Sequence, residues 1–214
     1  MLRALAAIAV VIHHTLINLR QIARVESPLN RCGYFEELGA AGVDLFFVIS
    51  GFIMLYVSHQ EFGKDGAAGR FLWRRATRIC PLYWFYTLVI LVLAATPWMF
   101  RNLHLDVPYI AGSLLLIPVT RPGPVESIHP ILDQGWTLSY EIGFYMIFAC
   151  CLRYGSLRST LLILPLLFAS LFGAGLMLGI DSAIGEFLRL PLAFEFFYGV
   201  VLAAALLRGR QLSR

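Results

Sequence analysis

Six stretches of this chain, at about residues 2–19, 40–58, 79–100, 135–152, 159–180 and 190–207, are apolar over lengths close to the ~20 residues that carry an α-helix across a bilayer. Blocks of that length leave little choice of solvent, and the expected fold is an all-α integral membrane protein with about six transmembrane helices. A seventh apolar stretch, Tyr109 to Pro118, is too short at 1.5 Å of rise per residue to cross ~30 Å of hydrocarbon, so it is expected as a short re-entrant or interfacial helix. The chain is 59% apolar and only 14% charged, against roughly 45–50% and 25% in soluble domains. Too little polar surface remains for a soluble fold, a disordered chain or a nucleic-acid-binding module. The four cysteines set no disulfide framework: Cys150 and Cys151 are adjacent, Cys80 opens an apolar block and Cys32 stands alone.

Orientation follows from the placement of Lys and Arg, which short cytoplasmic loops retain. The segment 59–78 holds Lys64, Arg70, Arg74, Arg75 and Arg78 and is expected inside. Alternation then places eleven basic residues in the cytoplasm and six outside, with both termini cytoplasmic. Most acids fall outside, among them Glu36, Glu37, Asp106, Asp133, Asp181 and Glu186. The first apolar block leads into further spans and carries no cleavage signal. The irregular stretch 119–134, with Pro122, Pro124 and Pro130, reads as an extracytoplasmic loop.

Chemistry is sought where a polar group is placed at a cost, and ionisable side chains within hydrocarbon usually face a bundle interior or a watery cavity. Five qualify: His13, His14, Asp44, Glu141 and Glu195. Counting from the nearest loop, His14 lies about 16 Å above the inner boundary and Glu141 about 12 Å below the outer one. Asp44 and Glu195 come out about 9 to 11 Å below the outer boundary. These depths allow His14, Glu141, Asp44 and Glu195 to share one cavity. Arg3 and His14 are eleven residues apart, three helical turns plus only ~20°, and therefore share a face. His13 is rotated about 100° away from it. A lone membrane histidine as often merely bonds two helices together, but an arginine on its stripe and acids at its depth favour function.

The runs RALAAIAVVIHH (Arg3 to His14), GVDLFFVISGF (Gly42 to Phe52), RRATRICPLYW (Arg74 to Trp84) and GWTLSYEIGFYMIF (Gly135 to Phe148) occur in that order. Together they resemble the membrane-bound acyltransferase-three family, and within it the acyltransferases of exopolysaccharide production. The resemblance covers nearly the whole chain and implies one acyltransferase-type transmembrane domain over residues 1–214, incomplete relative to a family of about ten spans. It further implies a multi-pass protein of the bacterial inner membrane. The implied activity is O-acyl transfer, usually of acetyl, from acyl-CoA to a hydroxyl of a glycan or lipid-linked oligosaccharide. Acyl-CoA is then a donor substrate, with no permanently bound cofactor and no metal. Membrane lipids are partners and nucleic acid is not.

Within that resemblance His14 is the catalytic base, since an alcohol is a poor nucleophile that needs a base working near neutral pH. Glu141 or Asp44 would hold the second ring nitrogen and stabilise the imidazolium. Arg3, Arg75 and Arg78 match motif positions for binding the phosphates of the donor, for which a planar guanidinium is suited. Arg70 and Arg74 read instead as topological anchors, Trp98 as an interfacial residue, and Trp136 as a side chain packing a cavity mouth. The rival reading is a non-enzymatic glycan transporter or an inactive membrane fragment, because polar groups in a bundle also build substrate paths.

Overall fold

The computed structural model describes residues 8–12, 15, 34–96, 104–122, 128–178, 183–189 and 191–212. Among them the secondary structure is helical throughout: α1 (Tyr34–Ser58), α2 (Ala67–Ala94), α3 (Val107–Leu115), α4 (Gly135–Tyr154), α5 (Leu157–Leu178), α6 (Ala183–Arg189) and α7 (Leu192–Leu212). Five of these, α1, α2, α4, α5 and α7, are long and apolar enough to cross a membrane. The protein is thus an all-α integral membrane protein. The first expected span, 2–19, lies mostly outside the described residues, of which 8–12 and 15 are helical.

Two boundaries differ from expectation. The segment 59–78 is loop only as far as Gly66; from Ala67 it is the first part of α2, which therefore begins twelve residues before the expected start at 79. Helix-forming Arg, Leu and Ala outweigh the charge there, and long arginine side chains reach polar surroundings while their backbone stays helical. The short helix α6 stands where an extracytoplasmic loop was expected around Asp181 and Glu186. The expected short helix before Pro118 is present as the nine-residue α3. Its start is fixed by Asp106, whose carboxylate accepts the Tyr109 backbone N–H at 2.7 Å, with Pro108 in the first turn.

The chain divides into two compact units, one comprising residues 1–57 and 194–214 and the other residues 58–193. In the first unit α1 and α7 meet backbone to backbone. A Cβ built on Gly51 would stand 1.9 Å from the Phe196 carbonyl oxygen, and one on Gly199 would stand 1.9 Å from that of Val48. Only glycine permits this approach, the small-residue packing by which helices associate in lipid. The same two helices bring Asp44 against Glu195.

The second unit is built on large side chains. Its entry turn carries Gly63 and Gly66 at φ 72° and 70°, left-handed values that suit glycine. The turn docks on the end of α4: Gly63 donates its backbone N–H to the Leu152 carbonyl at 2.9 Å, and Arg153 pairs with Asp65 at 3.2 Å. Arg70 pairs with Glu61 at 3.1 Å and donates to the Asp65 carbonyl at 3.0 Å. That bond to Arg70, helped by Lys64, holds the Glu61 carboxyl below its ordinary pKa. Helix α4 returns into α5 through Ser156 and Ser159, each accepting the backbone N–H of the other at 3.2 and 2.6 Å.

Candidate active site

Helices α2 and α4 pack through interlocked rings. Phe71 lies 5.3 Å from Phe148 and 5.8 Å from Tyr145, centroid to centroid, and all three are buried. Arg75, one turn after Phe71, is carried over this cluster, with its guanidinium carbon 5.3 Å from the Phe71 centroid and 5.5 Å from that of Tyr145. A cation at that range is attracted by the ring faces. The Tyr145 hydroxyl donates to Glu141 Oε1 at 2.5 Å, an i, i+4 contact on one helix face. One tyrosine therefore joins a cation to a carboxylate inside the unit. Beside it runs a groove of ≈ 170 Å³, walled by Leu72, Ile79, Ile142 and Met146 with Arg75 as its one charged side chain. Arg78, three residues on and exposed, continues the Arg75 side of α2.

Of the residues expected at the site, Glu141, Arg75 and Arg78 belong to this unit. Asp44 belongs to the other, where its carboxyl interacts with that of Glu195. Asp44 is exposed, whereas Glu195 is half-buried and its Oε2 has no hydrogen-bond partner among the described residues. Arg3, His13 and His14 lie outside the described residues. Tyr145 was not singled out from sequence, although its position four residues after an intramembrane glutamate was a usable signal. Among the described residues no group of three His, Cys, Asp or Glu is placed to hold a metal ion.

About two turns further along α2, the same unit carries a second polar structure. Arg121 donates to the Tyr109 hydroxyl at 3.1 Å, to the Pro130 carbonyl at 3.1 Å and to Asp133 at 2.9 Å. Tyr109 in turn donates to the His129 carbonyl at 2.9 Å, and Tyr83 to that of Ser113 at 2.7 Å. Burial pushes the Tyr109 phenol up, with Arg121 pulling the other way. These bonds hold residues 128–134 against α3 and α2. Under them lies a cavity of ≈ 200 Å³ bordered by His129, Trp136, Ser139, Tyr140, Glu186 and Phe187. Trp136 lines this cavity and not the groove beside Arg75, and among the described residues neither Asp44 nor Glu141 borders it.

Residues 1–214 match the family profile described as an acyltransferase domain. The exopolysaccharide production protein ExoZ of Rhizobium meliloti (strain 1021) is 37% identical over 180 residues, which is 84% of this chain and 55% of that protein. The chain spans about half the length of the relative it matches. No solved structure matches it. With the profile matched from end to end, the chain belongs to the acyltransferase-three family.

Proposed function

We propose that this chain forms part of a membrane O-acyltransferase that moves an acyl group, acetyl in preference to longer ones, from cytosolic acyl-CoA to a hydroxyl of an exopolysaccharide glycan or its lipid-linked precursor. The observation that carries this reading is the Arg75, Tyr145 and Glu141 arrangement, in which a cation lies over the Tyr145 ring and the Tyr145 hydroxyl bonds a carboxylate, beside an apolar groove. The relative's role in exopolysaccharide production supports the glycan acceptor.

In this reading Arg3, Arg75 and Arg78 hold the donor phosphates on the cytoplasmic side of the inner membrane, with the pantetheine arm in the groove. His14 takes the proton of the acceptor hydroxyl as its oxygen attacks the thioester carbonyl, assisted by Glu141 or Asp44. The C–S bond then breaks, the ester forms, and the thiolate leaves to be protonated by the imidazolium. The proton and electron balance closes without an added reagent.

The test uses the protein in lipid nanodiscs with radiolabelled acetyl-CoA and polysaccharide stripped of its esters by mild alkali. Label is expected to pass to the polysaccharide as an alkali-labile ester. Arg75→Ala should raise the donor KM about 10- to 150-fold, the range of a charge-assisted bond, and Arg75→Lys should recover part of the loss. Absence of alkali-labile label in the wild-type protein overturns the reading.

A further inference from the structure

We propose that the cavity bordered by Trp136 and Glu186 is a pyranose-binding subsite, which rests on the glycan-acylation reading and supplies its acceptor with a seat. A sugar ring has an apolar C–H face and a rim of hydroxyls, so a site for it needs one uncovered aromatic surface with acceptors and donors around it. Trp136 provides the surface. Its ring meets Tyr140 edgewise at 6.0 Å and His129 at 6.3 Å, and no described aromatic ring stacks face to face on it.

Tyr140 is excluded as the platform. Phe187 already stacks on it at 3.7 Å, and its hydroxyl donates to the Phe187 carbonyl at 2.5 Å. Tyr140 is thus a fixed wall that leaves Trp136 as the floor. The exposed Glu186 carboxylate accepts from sugar hydroxyls, and His129 offers both a donor and an acceptor nitrogen in its neutral form. The wall carrying His129 is set in advance by the Tyr109 and Arg121 bonds to the backbone at His129 and Pro130. Little ordering then remains to be done on binding.

Size and charge narrow the occupant. At ≈ 200 Å³ the cavity is smaller than the roughly 300–1,000 Å³ of pockets enclosing drug-sized ligands, so it takes one ring. Among the described residues its border includes a carboxylate and no Lys or Arg, which disfavours a phosphate-bearing donor. Arg75 borders the groove, with Arg78 on the same side of α2, while Trp136 opens α4 next to Gly135, which lies against Tyr83 about two turns further along α2. The groove beside Arg75 and the cavity beside Trp136 share no bordering residue among the described ones, so donor and acceptor need not compete for one place.

Saturation-transfer NMR of the protein in nanodiscs, against the methyl glycosides of glucose, galactose, mannose and rhamnose, tests the proposal. At least one glycoside should receive saturation on its ring C–H protons. Trp136→Ala should weaken its binding about tenfold, with Trp136→Phe intermediate, and Glu186→Gln should weaken it without unfolding the protein. The phenylalanine and glutamine variants keep the test valid should the alanine variant misfold. No saturation from any of the four, or undiminished binding in folded Trp136→Ala and Glu186→Gln proteins, overturns the subsite. Acyl transfer with unchanged glycan KM in Trp136→Phe and Glu186→Gln removes the subsite and leaves the activity standing. Glycoside binding that depends on Trp136, without any acyl transfer by the wild type, removes the activity and leaves the subsite.

Discussion

A Cβ on Gly51 or Gly199 would overlap a backbone carbonyl at 1.9 Å, whereas one on Gly143, midway along α4, would meet nothing within 4 Å. In the unit of α1 and α7 helices are joined by removing side chains until backbones touch. In the unit of α2 and α4 they are joined by filling the space with Phe71, Tyr145 and Phe148 and by tying tyrosine hydroxyls to carbonyls and a carboxylate. Lipid tails are as apolar as leucine, so neither pair gains from the hydrophobic effect, and both depend on close contact or hydrogen bonds. The second solution leaves room for grooves and polar side chains. Both cavities described above, and the cation linked to a carboxylate, lie in that unit.

The sharpest way to break this contrast is Gly51→Leu. Its side chain would enter the Phe196 backbone, which cannot rotate away, so the α1 and α7 pairing should be lost altogether; overpacking against movable side chains costs only about 1–3 kcal/mol. Gly143→Ala should instead leave thermal unfolding in detergent nearly unchanged or raise it slightly, since alanine favours the helix by about 1 kcal/mol over glycine. Equal melting of the two variants would show that the close crossing does not hold the unit.

The next effect concerns chemistry and depends on the proposed activity. Glu141→Gln should lower acyl transfer by up to about 10⁴-fold if it is the carboxylate that orients the catalytic histidine. Tyr145→Phe keeps the ring under Arg75 and removes only the hydroxyl bonded to Glu141. It should lower kcat about tenfold while leaving the donor KM in place, the reverse of Arg75→Ala. A Tyr145→Phe protein with wild-type kcat would make the bond structural only.

The smallest effect is at the turn that docks on α4. Glu61 has its pKa depressed from the ordinary 4.5 by Arg70 and Lys64. The folded state therefore binds that proton less readily, and the contribution of the ion pairs is complete above 4.5 and is lost as pH falls through the lower folded value. Amide exchange of residues 61–66 should quicken over that acid range in the wild type. The added pH dependence should vanish in Glu61→Gln, and its persistence would show that the Glu61 ion pairs are not its cause.

Sequence periodicity carried less than block length did. In a soluble protein the exposed face of a helix is polar, but here Trp73 is 71% exposed and Phe148 fully buried, and both are large aromatics. Which face of an apolar helix is inside therefore cannot be read from residue type when the outside is lipid. The same difficulty hid the start of α2. Arginine looked like a loop residue, yet a guanidinium on a long stem lets the backbone be helical beneath it. Asp44, Glu141 and Glu195 lie within spans, as their places in the sequence imply, yet depth leaves open that Asp44 meets Glu195 while Glu141 meets Tyr145. Depth is one coordinate, and rotation about the helix axis is another.

The amino-acid order by itself determined the solvent, the approximate place of the five spans found among the described residues, the short helix before Pro118 and the motifs of the family. Each is a local property, set by the length of an apolar run or by residues within a few turns of one another. Tertiary structure alone decided the touching backbones at Gly51 and Gly199, the cation over Tyr145 and the cavity between Trp136 and Glu186. Each of these joins residues about 50 to 150 positions apart in the chain, Arg75 and Tyr145 lying on two helices with a third between them in sequence. No span carries the information about its partner, because in lipid the pairing is selected by shape and by a few hydrogen bonds rather than by how apolar either surface is.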